Sequence, residues 1–455
     1  MAIPFSHFFF IGIAGSGMSA LAQFLKGMGR EVSGSDRFFI DGHHNETREK
    51  LEAAGIPCHV QDGSGITSTV DCVIVSTAIE ESVPEMRKAR ELGLEVWRRS
   101  ELLARIAGEF KTIAVAGTSG KSTTTAMLFE ILREAGLDPS IISGAGLVNL
   151  IREGLIGNAH VGKGEWLVME ADESDGSIVQ YHPEMGLLLN IDKDHKEVEE
   201  LVGVFGTFRD NCRRFGVNRS QPLSASLSKD ASCDFAVSPG TGAGYVAEGF
   251  HQEGLAITFR VNGAPFRLET VGRHNMENAL AASAAAHLAG VSLGKAATAL
   301  SGYQGIHRRH QVLGRKGGVW VIDDFAHNPV KVARSIEACQ PIATKVVAWF
   351  QPHGYAPTKF LRPDFAREIS STLRPQDEIW MSEIFYAGGT AVKDISAADL
   401  VSDLVALGCN AHFLADRNGL PEAVRPRLTD DCVLLLMGAR DPSLESFARK
   451  VWEEL

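Results

Sequence analysis

An α/β fold of several domains is what the 455-residue sequence predicts, and three observations predict it. Short β-branched or aromatic runs alternate with stretches of helical apolar spacing along most of the chain, the pattern of parallel sheets covered by helices. At two places, after "FFFIGI" and after "KTIAVA", such a run passes through a glycine turn into a helix. The chain is also too long for one hydrophobic core, and its length allows two to four domains. Three segments follow one another along it.

The first segment opens with strand "HFFFIGI", turn "AGSGM", helix "SALAQFLKGMG" and strand "EVSGSD". Gly12, Gly15 and Gly17 resemble a nucleotide-binding first turn, with Ala14 in place of the middle glycine of G-x-G-x-x-G. That departure argues against a nicotinamide cofactor. Asp36 ends the second strand, where an acid can meet a ribose hydroxyl. A further buried strand, "VDCVIVSTAI", precedes the helix "SVPEMRKARELG", which has Pro near its start.

The second segment begins near Lys111 with strand "KTIAV", turn "AGTSGKS" and a helix carrying Met127, Leu128, Ile131 and Leu132 at helical spacing. In such a turn the backbone N–H groups of Gly117 to Ser122 point at phosphate oxygens, Lys121 reaches the β- and γ-phosphates, and the Ser122 hydroxyl ligates Mg²⁺. Val115 stands where the longer form of the motif has its first glycine. "EWLVMEADESDGS" is an apolar strand ending in Glu170, Asp172, Glu173 and Asp175, and "MGLLLNIDKDHKE" is another ending in Asn190, Asp194 and His195. Acids at strand ends beside a phosphate loop are well placed to hold Mg²⁺. Residues 217–270 read as irregular short strands without evident chemistry. "VGRHNMENALAASAAAHLAG" predicts a small-residue helix led by His274, Asn275 and Asn278.

The third segment follows "GIHRRHQVLG", with strands "GVWVIDDFAHNP", "KVVAWFQPHG", "DEIWMSEI" and "DCVLLLMGARD" alternating with helical stretches. The His43-His44-Asn45 cluster suits no common zinc spacing and reads as solvated.

A net charge of −11 argues against general nucleic-acid binding, so an anionic ligand must be held by local cations and backbone donors. Seven scattered cysteines without a C-x-x-C fit a reducing compartment. No run reaches the roughly 18 apolar residues of a membrane span. The expectation is a cytoplasmic protein with small-molecule substrates and neither nucleic acid nor membrane as partner.

In order along the chain, "FIGIAGSGMSALA", "GTSGKSTTTAM", "MEADESDGS", "NIDKDH", "GRHNMENALAA", "GIHRRHQ", "DDFAHNP", "FQPH" and "MGA" together resemble the Mur ligases of peptidoglycan synthesis. The resemblance is strongest to the branch that adds L-alanine to UDP-N-acetylmuramate and to its tripeptide-recycling relative. It implies a Rossmann-like UDP-binding domain over residues 1–107, a central P-loop ATPase-like parallel-sheet domain over 108–314, and a Rossmann-like α/β domain over 315–455 that binds the amino-acid substrate. The implied activity is ATP-dependent amide formation through an acyl phosphate on the lactyl carboxylate, with ATP and Mg²⁺ required. The partners would be UDP-N-acetylmuramate and an amino acid or short peptide, and the protein would be a monomer or dimer.

The resemblance also implies roles. Gly117, Thr118, Gly120, Lys121, Ser122 and Thr123 would cradle ATP, with Lys121, Glu170 and His195 catalytic and Ser122, Glu170 and His195 on metal. Asn275 and Asn278 would face adenine. Arg309 and Asp324 would reach ATP's phosphates and ribose, and Asn328 would border adenine. Gly12, Ala14, Gly15, Ser16, Gly17, Met18, Asp36 and Ser76 would take the UDP-sugar, and His327, His353 and Arg440 the amino acid. The chain departs from the branch at "FQPHGYAP", where Gly354 and Pro357 replace two arginines. A carboxylate without a cationic partner is costly, and Arg440 is the expected substitute, with Lys359 and Arg362 as alternatives. Ser119 replaces a histidine and Phe325 a tyrosine, and no lysine follows His195 at the distance where sister enzymes carry a carbamylated one. A folate-polyglutamate type ligase would not need the segment before the phosphate loop. A catalytically silent UDP-sugar sensor would have no use for two metal sites.

Overall fold

The computed structural model describes residues 3–40, 42–77, 79–192, 197–386 and 392–455. Four sheets organise them. The first is wholly parallel and contains β1 (His7–Ile11), β2 (Glu31–Asp36), β3 (Cys58–Val60), β4 (Cys72–Val75) and β5 (Glu95–Arg98) in the order β3-β2-β1-β4-β5. Chain order reverses between β1 and β4, so this sheet has its topological switch point at the ends of those two strands, where doubly wound sheets bind ligands.

The second sheet contains β6 (Lys111–Ala116), β7 (Ser140–Ile142), β8 (Ala159–His160), β9 (Trp166–Glu170), β10 (Met185–Leu188) and β11 (Arg214–Val217), ordered β11-β10-β6-β9-β7-β8. It is parallel except for the edge strand β8, which runs against β7. Its central strands are buried on both faces, which is why "TIAVA", "LVM" and "MGLL" read as unbroken small and apolar runs. β6 lies between β10 and β9, so the turn after β6 is flanked by the ends of both neighbours.

Residues 217–270, expected to form irregular short strands, contain a third sheet: β12 (Phe235–Ala236), β13 (Tyr245–Glu253), β14 (Ala256–Val261) and β15 (Ala264–Leu268) in sequential order. Alternating burial along β14 gives it one covered face, with Phe259 and Phe266 stacked at 5.2 Å.

The fourth sheet contains β16 (Gln311–Lys316), β17 (Val319–Asp324), β18 (Lys345–Gln351), β19 (Glu378–Met381), β20 (Ala411–Phe413) and β21 (Cys432–Gly438), ordered β16-β17-β21-β18-β19-β20. β16 pairs antiparallel with β17 through a register shift, and the other pairs are parallel.

The chain forms two compact units: residues 1–249, 259–267 and 276–306, and residues 250–258, 268–275 and 307–455. In the first unit the helix Ser16–Gly27 ties the first sheet to the second. Asn158 beside β8 donates from its amide to Ser16 O at 2.8 Å and Ser19 Oγ at 3.0 Å, and accepts from Gln23 Nε2 at 2.8 Å. Gly27 leaves the space that Val161 fills, since a Cβ there would lie 2.7 Å from its Cγ2. One apolar core runs through both sheets, from Phe8, Phe10 and Phe24 to Leu167, Phe205 and Phe215.

Candidate functional site

The phosphate loop lies where the sequence puts it, between β6 and the helix Lys121–Glu134. Gly117 and Gly120 have φ of 134° and 86°, a left-handed backbone that favours glycine. Space for a side chain is also tight at both. A Cβ at Gly117 would approach the backbone of Asn190 to 3.1 Å, and one at Gly120 would meet Asn278 Oδ1 at 2.4 Å.

Asn190, just past β10, holds the loop's shape. Its Oδ1 accepts from Thr118 Oγ1 and from Ser119 N, both at 2.8 Å, and its Nδ2 donates to Ser119 O at 3.0 Å. Thr118 N donates to Asn190 O at 3.3 Å, and Thr118 Oγ1 accepts from Asp192 N at 3.0 Å. Asn278, expected near adenine, has its Oδ1 against Gly120 and accepts there from Thr124 Oγ1 at 3.3 Å.

Lys121 folds its ammonium back onto the loop. Nζ donates to Gly117 O at 2.6 Å and to Glu173 Oε2 at 2.9 Å. Burial penalises its charge, but the carboxylates of Glu173, Asp172 and Glu170 outweigh that and hold its pKa above the ordinary lysine value. Lys121 is therefore a cation throughout the physiological range. Glu170 ends β9, with Oε1 accepting from Ser143 Oγ at 2.8 Å and Gly144 N at 2.7 Å. Among the described residues its Oε2 accepts no hydrogen bond, and neither the Ser122 nor the Thr123 hydroxyl makes one. Asp194 and His195 lie outside the described residues.

The first glycine turn, also in the first unit, is pinned differently. Gly12 N and Ile13 N donate to Ser35 O at 2.8 and 3.0 Å. The buried Asp36 carboxylate accepts from Ala14 N at 2.9 Å and Phe38 N at 3.0 Å. Gly15 caps the helix Ser16–Gly27 without a side-chain bond, leaving Gly15 and Ser16 exposed, while Met18 turns into the core. Ser76 follows β4, whose neighbour β1 ends beside Gly12, so Ser76 and the turn share the switch point.

In the second unit the expected residues gather at the ends of β17, β18 and β21. Both Asp324 oxygens are engaged, one by His310 N at 3.1 Å and the other by the Ser335 hydroxyl. Burial opposes its charge, yet His310, Arg309 and Ser335 keep its pKa below the ordinary carboxylate value. Arg309 lies over the Phe325 ring at 4.9 Å. Its neighbour Arg308 is the buried one, with Nε on Asp323 Oδ2 at 2.8 Å and Nη2 on Gly438 O at 3.0 Å. Both aspartates are buried, and the sequence offers no signal for which of the two adjacent arginines turns inward.

Asn328 caps the helix Pro329–Cys339, accepting from Lys331 N at 2.9 Å. The amide of Asn275 donates to Thr270 Oγ1 at 3.0 Å and Val271 O at 2.8 Å. His327 and His353 have ring centroids 5.7 Å apart, and burial holds His327 neutral, well below the usual histidine pKa. Arg440, just past β21, is exposed, with φ of 67°. Lys359 is paired with Asp394 and Arg362 with Asp403. Positions that the sequence reading left without a role are Ser143, Gly144, Arg308 and Arg99, the last paired with Asp175 at 3.6 Å, while Glu173 was read only as one of the acids placed to hold Mg²⁺. Only the acid run around Glu173 gave any signal.

Three family models match consecutive parts of the chain: Mur ligase family, catalytic domain, over residues 7–111; Mur ligase middle domain over 115–286; and Mur ligase, glutamate ligase domain, over 308–440. The chain is 35% identical to a UDP-N-acetylmuramate–L-alanine ligase of Synechococcus sp., covering 95% of this chain and 93% of that one. It is 34% identical to the protein of the same name from Carboxydothermus hydrogenoformans, covering 94% and 93%. Among solved structures, the UDP-N-acetylmuramate-alanine ligase of Thermotoga maritima superposes with a TM-score of 0.80 at 25% identity over 98% of both chains. The murein peptide ligase of Psychrobacter arcticus shares the fold, with a TM-score of 0.69 at 20% identity over 99% and 98%. With a phosphate loop braced as described and matches running nearly end to end, the chain belongs to the Mur ligase family.

Proposed function

We propose that this chain is an ATP-dependent ligase that joins an amino acid, L-alanine in this reading, to the lactyl carboxylate of UDP-N-acetylmuramate in peptidoglycan precursor synthesis. The observation that carries the reading is the braced loop 117–122 with Lys121 charged beside two further oxygen donors, Ser122 and Glu170. The name borne by the full-length relatives supplies the substrates.

A carboxylate is a poor electrophile, because its charge repels a nucleophile and oxide is a very poor leaving group. Transfer of the γ-phosphoryl group of ATP to one carboxylate oxygen removes both obstacles. The amine then attacks the carbonyl carbon, phosphate departs with the C–O bond electrons, and the amine gives up a proton. Phosphoryl transfer asks mainly for positioning and charge neutralisation. The backbone of Gly117 to Ser122 gives close approach, since both glycines have positive φ and a Cβ at either would be crowded. Lys121 supplies a fixed positive charge. The Ser122 hydroxyl and Glu170 Oε2 are hard oxygen donors left uncommitted, a set that suits Mg²⁺, with His195 as a further ligand. Mg²⁺ held there would neutralise charge on the phosphates.

The remaining roles belong to the same proposal. Thr118, Gly120, Thr123, Asn275, Asn278, Arg309, Asp324 and Asn328 serve ATP. Gly12, Ala14, Gly15, Ser16, Gly17, Met18, Asp36 and Ser76 serve the UDP-sugar, and His327 and His353 the amino acid. Domain limits at 107/108 and 314/315, a cytoplasmic location and a monomeric or dimeric state go with it. Arg440 takes the amino-acid carboxylate: Lys359 and Arg362 are already neutralised by Asp394 and Asp403, whereas Arg440 has no hydrogen-bonding or ionic partner among the described residues.

The test is phosphate release from ATP with UDP-N-acetylmuramate and Mg²⁺, screened against L-alanine, glycine, L-serine and the recycled tripeptide. Release with L-alanine is expected. Release with the tripeptide alone would make this the recycling ligase, and no release with any amine would favour a sensor.

A further inference from the structure

The acid run at the end of β9 holds four carboxylates, and each has its own partner. Glu170 is held by Ser143 and Gly144. Asp172 Oδ1 accepts from Ser174 N at 3.0 Å and Asp175 Oδ1 from Ser177 N at 2.9 Å, both closing short turns. Glu173 alone touches Lys121. Its side chain is 7% exposed and that of Lys121 16%, so the pair is withdrawn from water.

The segment that presents Glu173 is stiff. Ala171 N extends the β9–β6 ladder to Val115 O at 2.9 Å, and Gly176 N, at φ 73°, closes the turn onto Glu173 O at 3.1 Å. A carboxylate beside a phosphate loop repels the triphosphate it is meant to receive. Its presence is therefore unfavourable for binding nucleotide directly, and the contact it makes is with Lys121. An ammonium has three donors on a flexible four-carbon stem. Gly117 O and Glu173 Oε2 take two of them, which fixes the stem and leaves one for a ligand.

We propose that Glu173 is a positioning residue for phosphoryl transfer: it holds the Lys121 ammonium in one orientation against the loop, at the expense of ground-state nucleotide affinity. The proposal rests on the ligase reading above. A group that trades ground-state binding for transition-state fit has a kinetic signature, because interactions realised in the transition state move kcat rather than KM. In Glu173→Gln the side chain keeps its size and one acceptor but loses its charge. The variant is expected to lose about thirtyfold or more in kcat for phosphate release, while KM for ATP and the Kd of a non-hydrolysable ATP analogue stay level or fall. Glu173→Asp keeps the charge one methylene further back and is expected to recover part of the lost kcat.

Both variants are compared with wild type for thermal melting and for UDP-N-acetylmuramate binding. A purely supporting role predicts that kcat and ATP affinity worsen together, with Asp no better than Gln. That result would overturn the proposal, as would a kcat within threefold of wild type in Glu173→Gln. Failure of the ligase reading is separable, because it would appear as absent turnover in the wild-type protein itself.

Discussion

The first unit carries two strand–glycine–helix turns, and they are braced by different chemistry. At Gly12 to Gly17 the brace from the neighbouring strand is a carboxylate, Asp36, whose two oxygens take backbone N–H groups. At Gly117 to Ser122 it is a neutral amide, Asn190, and a lysine is added. A carboxylate fixes a turn firmly but adds negative charge where an anion must come. An amide adds no charge of its own, so the charge at the second turn is set by Lys121 and the Glu173 carboxylate paired with it. On the proposed function, the first turn holds a ligand still and the second stabilises charge that moves. The proposed division follows: sugar nucleotide at the first turn, transferable phosphate at the second.

The comparison breaks most readily at Lys121. Replacing it with Met is expected to lower kcat by about 1,000-fold with UDP-N-acetylmuramate affinity unchanged; steady-state phosphate release with calorimetric titration of the sugar nucleotide reads both, and equal loss at both turns would end the division. Asn190→Ala removes the brace and leaves the Ser119 N–H and O unpaired, so kcat/KM for ATP should fall about 100-fold, again without effect on the sugar nucleotide. The mirror experiment is Asp36→Ala, which orphans two N–H groups at the first turn. UDP-N-acetylmuramate should bind about thirtyfold more weakly while ATP-analogue affinity holds, and a larger effect on ATP would contradict the assignment. Smallest is Arg440→Ala, an exposed charge, expected to raise the amino-acid KM about tenfold with KM for ATP unchanged. Unchanged amino-acid kinetics would remove Arg440 from the site.

The phosphate loop was legible because its requirements are local. Positive φ at Gly117 and Gly120, a lysine and a hydroxyl at the helix start, and acids at neighbouring strand ends all leave marks within a few residues. The α/β character was legible for the same reason, through apolar runs such as that of β21. What stayed hidden depends on pairings distant in sequence. Nothing near Asn278 says that its amide oxygen packs against Gly120, 158 residues earlier by numbering. Asn328 reads equally well as a ligand contact or a helix cap, and its position just before Pro329 was the available hint of a cap. The short strands within residues 217–270 were legible, but their pairing into the one sheet β12–β15 was not, because the register between strands leaves no mark in the sequence of any one of them. Glu173 stood among four acids, and only the fold distinguishes the one that meets Lys121.

The claim that the second turn activates an acid group for amide formation can be tested directly. UDP-N-acetylmuramate labelled with oxygen-18 in its lactyl carboxylate is incubated with the protein, ATP, Mg²⁺ and the active amine, and the released phosphate is weighed by mass spectrometry. One labelled oxygen per phosphate released is predicted, because the bridging oxygen of the acyl phosphate leaves with phosphorus. Phosphate released without label would contradict the account.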